Sequence, residues 1–433
     1  VEKNASVKPA RKTDRPVRKK AETVAVKAPT SVEISEFFAG IRDSMLLNLE
    51  RGRYELENGD LQAASEFLRA AEEISTRSTD RRRFIEIQVL KSLVFVYSRD
   101  FKAFGQHLMT LKPVLSKDSY QSFLDIYNQA RELNDQADLA RLSAGIAMGA
   151  GHTMVAAKLF SEALKKYPND TLILNFLAEA HMQNFDYRAC ETALAQLVKI
   201  DDKNAEAWFN LARFYLTAIY RPDLAAQYAS YAAGLRHDDR RPEVLLALVD
   251  YTQGRLESGI ARMQQLLPSL ADDSLKAICE KIIADGSAKD AASKSFSSIL
   301  ALPGAAHASK DMFSAVGEEY LNRGSYLSAL KYFTTAGDVA ETGRAYLGFA
   351  SALRNGGEND NADRAARFGI SALEIAMQKP SSRGRAHLYK AIYHFDMGDR
   401  INARAEIEKG LSGDCEPETR RRLTSILNGI SRS

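Results

Sequence analysis

The sequence predicts an all-α protein: a solenoid of antiparallel helix pairs in two arrays, with a break near residues 269–310. Three observations predict it. Small and large apolar residues recur at a fixed spacing along most of the chain. Only 11 prolines interrupt 433 residues, so long segments run without helix breakers. No segment shows the apolar–polar alternation of a half-buried strand.

Taken in order, residues 1–30 hold nine Lys or Arg against three acids in a chain of net charge +3, so the rest is slightly acidic. They contain no aromatic residue and no apolar periodicity, and cannot offset the entropy of ordering. A disordered basic tail is expected there. Helical patterning starts near Ser31. The stretch GEEYLNRGSYLSALKYFTTAG at 317–337 supplies a ruler for the rest of the chain. In a unit of about 34 residues, Gly317 takes position 8, Tyr320 position 11, Gly324 position 15, Ala329 position 20, Phe333 position 24 and Ala336 position 27.

The same ruler fits elsewhere. Gly59, Ala64, Leu68 and Ala71 occupy positions 15, 20, 24 and 27 of a first unit. Residues 84–114 form a degenerate copy, with Phe104, Leu108 and Leu111 at 20, 24 and 27. A helix over 118–133 does not fit a pair. Gly151, Ala156, Phe160 and Ala163 then fall on 15, 20, 24 and 27. Leu174, Leu177, Ala178, His181, Cys190, Leu194 and Leu197 come next at 4, 7, 8, 11, 20, 24 and 27. Trp208, Leu211, Ala212 and Tyr215 open the next unit, which slips by one residue before Ala225, Ala229 and Ala232. Gly254, Gly259, Met263 and Leu266 close the N-terminal array, 31–268.

Residues 269–310 shift in composition to Ala, Ser, Gly and Lys, and predict a linker or irregular helical segment with a helix over 273–284. The C-terminal array, 311–433, continues with a stretched copy over 342–376, in which NGGENDN is expected to lengthen the central turn. Ala391, Gly398, Ala403, Ile407 and Gly410 return to the ruler. A last helix sets Leu423, Ile426, Leu427 and Ile430 against Arg420, Arg421 and Arg422, as a solenoid's polar-faced cap requires.

The spacing has a direct physical meaning. Positions 4, 7, 8 and 11 share one face of a first helix, and 20, 24 and 27 one face of a second. Small residues at 8, 20 and 27 let the two helices approach, and large ones at 4, 11 and 24 fill the space between. A left-handed residue at 15 ends the first helix. One such hairpin cannot bury its apolar face alone, so neighbours stack.

This pattern resembles the tetratricopeptide-repeat family over about 42–268 and 310–412. The resemblance implies a right-handed superhelix and a non-enzymatic scaffold for protein–protein interaction. It also implies a concave groove lined by first-helix positions 2, 5, 9, 12 and 13. Carried over, those positions give Arg141, Asn175, Glu179, Phe209, Arg213, Arg241, Leu248 and Tyr251 as groove residues, with Met148, Met182, Leu216 and Val244 beside them. The family's chaperone-binding carboxylate clamp is only partly matched. Asn210 and Arg241 fit it, whereas Asn175, Glu179 and Leu245 do not. No clamp is expected.

Sequence motifs for catalysis are lacking: there is no phosphate loop, dinucleotide fingerprint, H-E-x-x-H or nucleophile elbow. No enzyme activity, cofactor or metal is expected. His387 and His394 fall on packing positions 4 and 11, and no acidic residue or cysteine completes a ligand spacing. Cys190 falls on position 20 and is expected to be an inert buried thiol. The pairs Asp201–Asp202 and Asp238–Asp239 belong to turns. Three scattered cysteines are not a disulfide framework.

The expected partner is a protein or peptide. No specific nucleic acid is expected, since the basic tail has no interleaved aromatics. Membrane association is expected only through that tail or a segment upstream of Val1. The composition fits a cytoplasmic protein. The alternative is a periplasmic or membrane-anchored assembly factor of a bacterial envelope, pilus or secretion machine, whose signal has been removed.

Overall fold

The computed structural model describes residues 44–76, 80–270, 273–286 and 310–432. The expected tail (1–30) and most of the expected linker lie outside them. Among the described residues there are helices and no strands.

The first hairpin is α1 (Met45–Asn58) and α2 (Leu61–Ser75), the second α3 (Arg81–Tyr97) and α4 (Phe101–Leu111). A single helix, α5 (Lys117–Glu132), separates them from four regular hairpins. These are α6 (Gln136–Gly149) with α7 (Thr153–Lys166), α8 (Thr171–Gln183) with α9 (Tyr187–Ile200), α10 (Ala205–Thr217) with α11 (Pro222–Leu235), and α12 (Arg241–Thr252) with α13 (Leu256–Leu266). α14 (Asp273–Gly286) comes after them. The C-terminal hairpins are α15 (Lys310–Asn322) with α16 (Tyr326–Ala336), α17 (Val339–Asn355) with α18 (Asn359–Met377), and α19 (Pro380–Asp396) with α20 (Arg400–Ser412). The final helix, α21 (Pro417–Arg432), packs on α19 and α20, burying Leu423.

Each hairpin turns on a left-handed residue. Gly59, Arg99, Gly151, Phe185, Tyr220, Gly254, Gly324, Gly357 and Gly398 all have positive φ. Each stands five residues before the inward-facing residue that opens the second helix, from Ala64 to Ala403. The αL conformation closes the last turn of one helix and redirects the chain into the next. Starts are set by side-chain caps: Asp60, Asp100, Asp186 and Asp399 each accept a backbone N–H from the first turn they precede.

The expectation for NGGENDN needs correction. The turn between α17 and α18 is no longer than the others. The extra residues lie in the helices, because Glu358 stands at the N-cap and Asn359–Asn361 form the first turn of α18.

The two arrays are not simply consecutive. α1 lies between them, and its first two turns are buried on every side. Met45, Leu49 and Leu56 join the N-terminal core with Leu68, Phe104 and Phe160. Leu46 and Leu47 join the C-terminal core with Leu347, Leu353 and Leu373. MLLNL has one polar residue, Asn48, whose side chain donates to the Ser44 carbonyl, and a helix so largely apolar must be enclosed. Polar groups cap across the seam in both directions. Glu358 accepts the Leu46 N–H at 3.3 Å and the Ser44 hydroxyl. In return Glu50 accepts the Tyr326 N–H at 2.9 Å, at the start of α16, where Ser325 makes no side-chain cap. Phe185, at its left-handed turn, packs edge-on against Phe313 with ring centroids 5.0 Å apart.

Candidate functional site

The first helices α6, α8, α10 and α12 stand in register, and their side chains at the predicted groove positions pair with one another. Arg141 of α6 lies 3.8 Å from Asp170, the N-cap of α8. Asn210 of α10 donates to Asn175 Oδ1 of α8 at 2.7 Å. Arg213 of α10 donates to Glu179 of α8, which also accepts from Gln183 at 2.9 Å. Arg241 of α12 donates to Glu206 of α10 and lies over the Phe209 ring at 4.9 Å from its centroid. Hydrogen bonds to Asp239 and Glu206 raise the Arg241 guanidinium further above its usual range, and the same contact lowers the Asp239 carboxyl. The result is a polar ladder running from repeat to repeat, with most of its members half-buried.

The sequence reading needs correction at Leu248 and Tyr251. They are 7% and 4% exposed, inside the cluster that includes Leu270, Cys279 and Ile282. The stack continues past α12 through the short turn after α13 and α14, which turns this stretch from surface into core. Met182, Leu216 and Val244 are buried in the same way. These five side chains hold the array together and present no face to a partner.

Two residues were missed. Leu172 and Phe176 of α8 take positions 2 and 6 and are 55% and 41% exposed. Phe176 stacks on Phe160 of α7, with centroids 5.7 Å apart and planes 10° apart. Leu172 holds position 2, which belongs to the groove set, and carrying that position over in α8 would have found it; Phe176 holds position 6, outside the set. In α6, Gly145 is exposed at position 9, the register of Glu179 and Arg213. A Cβ built there would meet nothing within 4 Å.

Comparison with known proteins bears directly on this region. Residues 147–213, from the end of α6 into α10, match a family model described as tetratricopeptide repeat. This stretch is a tetratricopeptide-repeat region. Solved structures similar to it include the APC/C hetero-tetramer Cut9–Hcn1, at 12% identity over 91% of this chain and 81% of that one, with a TM-score of 0.30. Yeast Tom70 is 13% identical over 92% and 91%, with a TM-score of 0.29. The repeat domain of P58(IPK) is 14% identical over 90% and 97%, with a TM-score of 0.21. Likenesses this distant say nothing of what this chain binds. The comparison with curated proteins returned no match.

The remaining positions of the ruler are explained by packing. Cys190 is fully buried, and burial pushes its thiol up to about 12. His387 is buried with Nδ1 2.7 Å from Glu406, and that hydrogen bond holds the Glu406 carboxyl down at about 2. Asp201 and Asp239 accept backbone N–H groups within their own turns. Among the described residues, no helix is long and apolar enough to cross a membrane.

Proposed function

We propose that this tetratricopeptide-repeat scaffold holds a protein or peptide segment along the first-helix face of α6, α8, α10 and α12. The observation that carries the proposal is Gly145. A glycine inside an exposed helix costs about 1 kcal/mol relative to alanine. No neighbour in the chain requires the missing Cβ. A partner backbone that comes close to α6 would require it. Leu172 and Phe176 supply exposed apolar surface on the next first helix, of the type enriched at interface centres. Arg141, half exposed, adds a cation at the edge. The ladder of Asn175, Glu179, Arg213 and Arg241 fixes the spacing of the helices beneath. The face presents a small apolar surface between self-neutralised charges, which suits an extended or helical segment with apolar anchors.

The test uses proteins captured by the full chain. Their dissociation constants are measured against a Leu172→Ser/Phe176→Ser variant and an Ile401→Ser control, whose residue is 84% exposed on α20. At least tenfold weaker binding for the first variant, with an unchanged control, is expected. Equal binding by both variants would move the partner surface elsewhere.

A further inference from the structure

The seam between the arrays holds a buried cluster of acidic and basic side chains that the scaffold function does not use. Three carboxylates converge there: Glu50 and Glu57 from α1 and Glu86 from α3. Arg53 stands among them and donates to Glu50, to Glu86 and, at 3.0 Å, to the Gly324 carbonyl oxygen at the start of the α16 turn. α16 contributes the Tyr326 N–H to Glu50 and the Ser328 hydroxyl to Glu57. Lys331, the cation of α16 here, donates to Asn58 at 2.6 Å, and its burial disfavours its charge. Arg83 approaches Tyr326 from α3, and Arg323 approaches Glu57 from the turn.

Glu50 is the group enclosed most completely. Its side chain is 2% exposed, and the guanidinium it faces is shared with Glu86 on the rim. Arg53 is divided between Glu50 and Glu86, and Lys331 and Arg323 face Glu57, so Glu50 has no cation of its own. A second negative charge in a dry seam is costly, and the least costly relief is a proton.

We propose that the seam is a proton-dependent latch: docking of the C-terminal array onto α1 draws a proton onto Glu50, so the arrays hold together in acid and loosen as the pH rises past neutrality. Burial, reinforced by Glu86 and Glu57 and opposed by Arg53 and by the Tyr326 N–H, raises the Glu50 carboxyl from its ordinary 4.5 to about 7. A carboxyl raised on docking gives stabilisation that is fully present below its free value. That stabilisation is lost as the pH rises through the docked value. Between pH 4.5 and about 7 the docking constant falls on the order of 100-fold. His152, at the α6–α7 turn beside Arg323, acts in the opposite sense: burial holds it neutral down to about 4. A substitution at Glu50 separates the two.

The experiment is hydrogen exchange of the full chain from pH 5 to 8.5, corrected for the intrinsic pH dependence of exchange. Protection of the first turn of α16, Tyr326–Leu330, is the readout. In the wild type it is expected to fall on the order of 100-fold over this range, and in Glu50→Gln to stay level. A level wild-type profile, or the same fall in Glu50→Gln, overturns the latch. Should Glu50→Gln fail to fold, Glu86→Gln on the exposed rim decides. It removes a charge that raises Glu50, so the midpoint of the fall moves to lower pH. An unmoved midpoint counts against the proposal.

Discussion

Gly317 offers the sharpest test of the packing ruler. It lies inside α15 with an ordinary helical backbone, so Gly317→Ala brings no conformational strain. Helix propensity alone would make the alanine more stable by about 1 kcal/mol. The structure predicts the reverse. An added Cβ would sit 2.8 Å from Cδ1 and Cε1 of Phe333 and 3.1 Å from its Cγ. That ring is fully buried among Leu327, Leu330 and Tyr346 and cannot swing aside. Overpacking of this kind costs about 1–3 kcal/mol, which leaves a net loss of about 1 kcal/mol. A double-mutant cycle removes the propensity term. Phe333→Leu alone opens space and is destabilising, but in the double variant the new methyl moves into that space. The coupling should favour the double variant by about 1–2 kcal/mol. Denaturant unfolding of the full chain gives the three differences, with hydrogen exchange of α15 and α16 as the local readout. A coupling near zero, or a Gly317→Ala variant more stable than wild type, would refute the close approach of these helices.

Four further outcomes are expected. Gly145→Ala should stabilise the free chain by up to about 1 kcal/mol while weakening binding of a captured partner, measured by thermal unfolding and titration. Leu46→Ala/Leu47→Ala empties the C-terminal core's share of α1 and should cost about 2–5 kcal/mol per leucine. Small-angle scattering should show a larger radius of gyration, and unfolding should split into two transitions. Cys190 should resist alkylation in the native chain at pH 8 and react at once in denaturant, because burial keeps its thiol protonated. His152 accepts from or donates to the Tyr97 hydroxyl at 2.8 Å, and its depressed value gives stability present above the ordinary imidazole range and lost as the pH falls through about 4. Acid unfolding of His152→Asn should lack that component.

The hairpins were legible because their constraint is local. A small residue at 20 and a left-handed residue five before it are separated by one turn, and the sequence carries both. The degenerate pair 84–114 keeps the left-handed turn, at Arg99, but sets Phe104 where a small residue stands in the other pairs. Arg99, Phe185 and Tyr220 hid the signal, since none is the glycine that such a φ favours. Phe185 is held there by aromatic packing on Phe313, 128 positions on in sequence. The seam was not legible for the same reason. Nothing in a repeat ruler says that α1 will meet α16 across the whole N-terminal array. One clue was present: MLLNL has a single polar residue, Asn48, where a helix at the open end of a solenoid would need a polar face. At the candidate site, the polar rungs were found because their positions obey the ruler. Leu248 and Tyr251 were misplaced because exposure at position 9 or 12 depends on what stacks next, and α14 comes after the break in the pattern.

Whether the first-helix face of α6 to α12 takes the partner is open to site-specific photo-crosslinking. A photoreactive side chain stands at Phe176 on α8 in one chain and at Tyr231 on α11 in another. Both positions are exposed, at 41% and 48%. A discrete partner adduct is expected from position 176 and none from 231. Adducts from 231 alone would place the partner on the opposite helices and overturn the groove assignment.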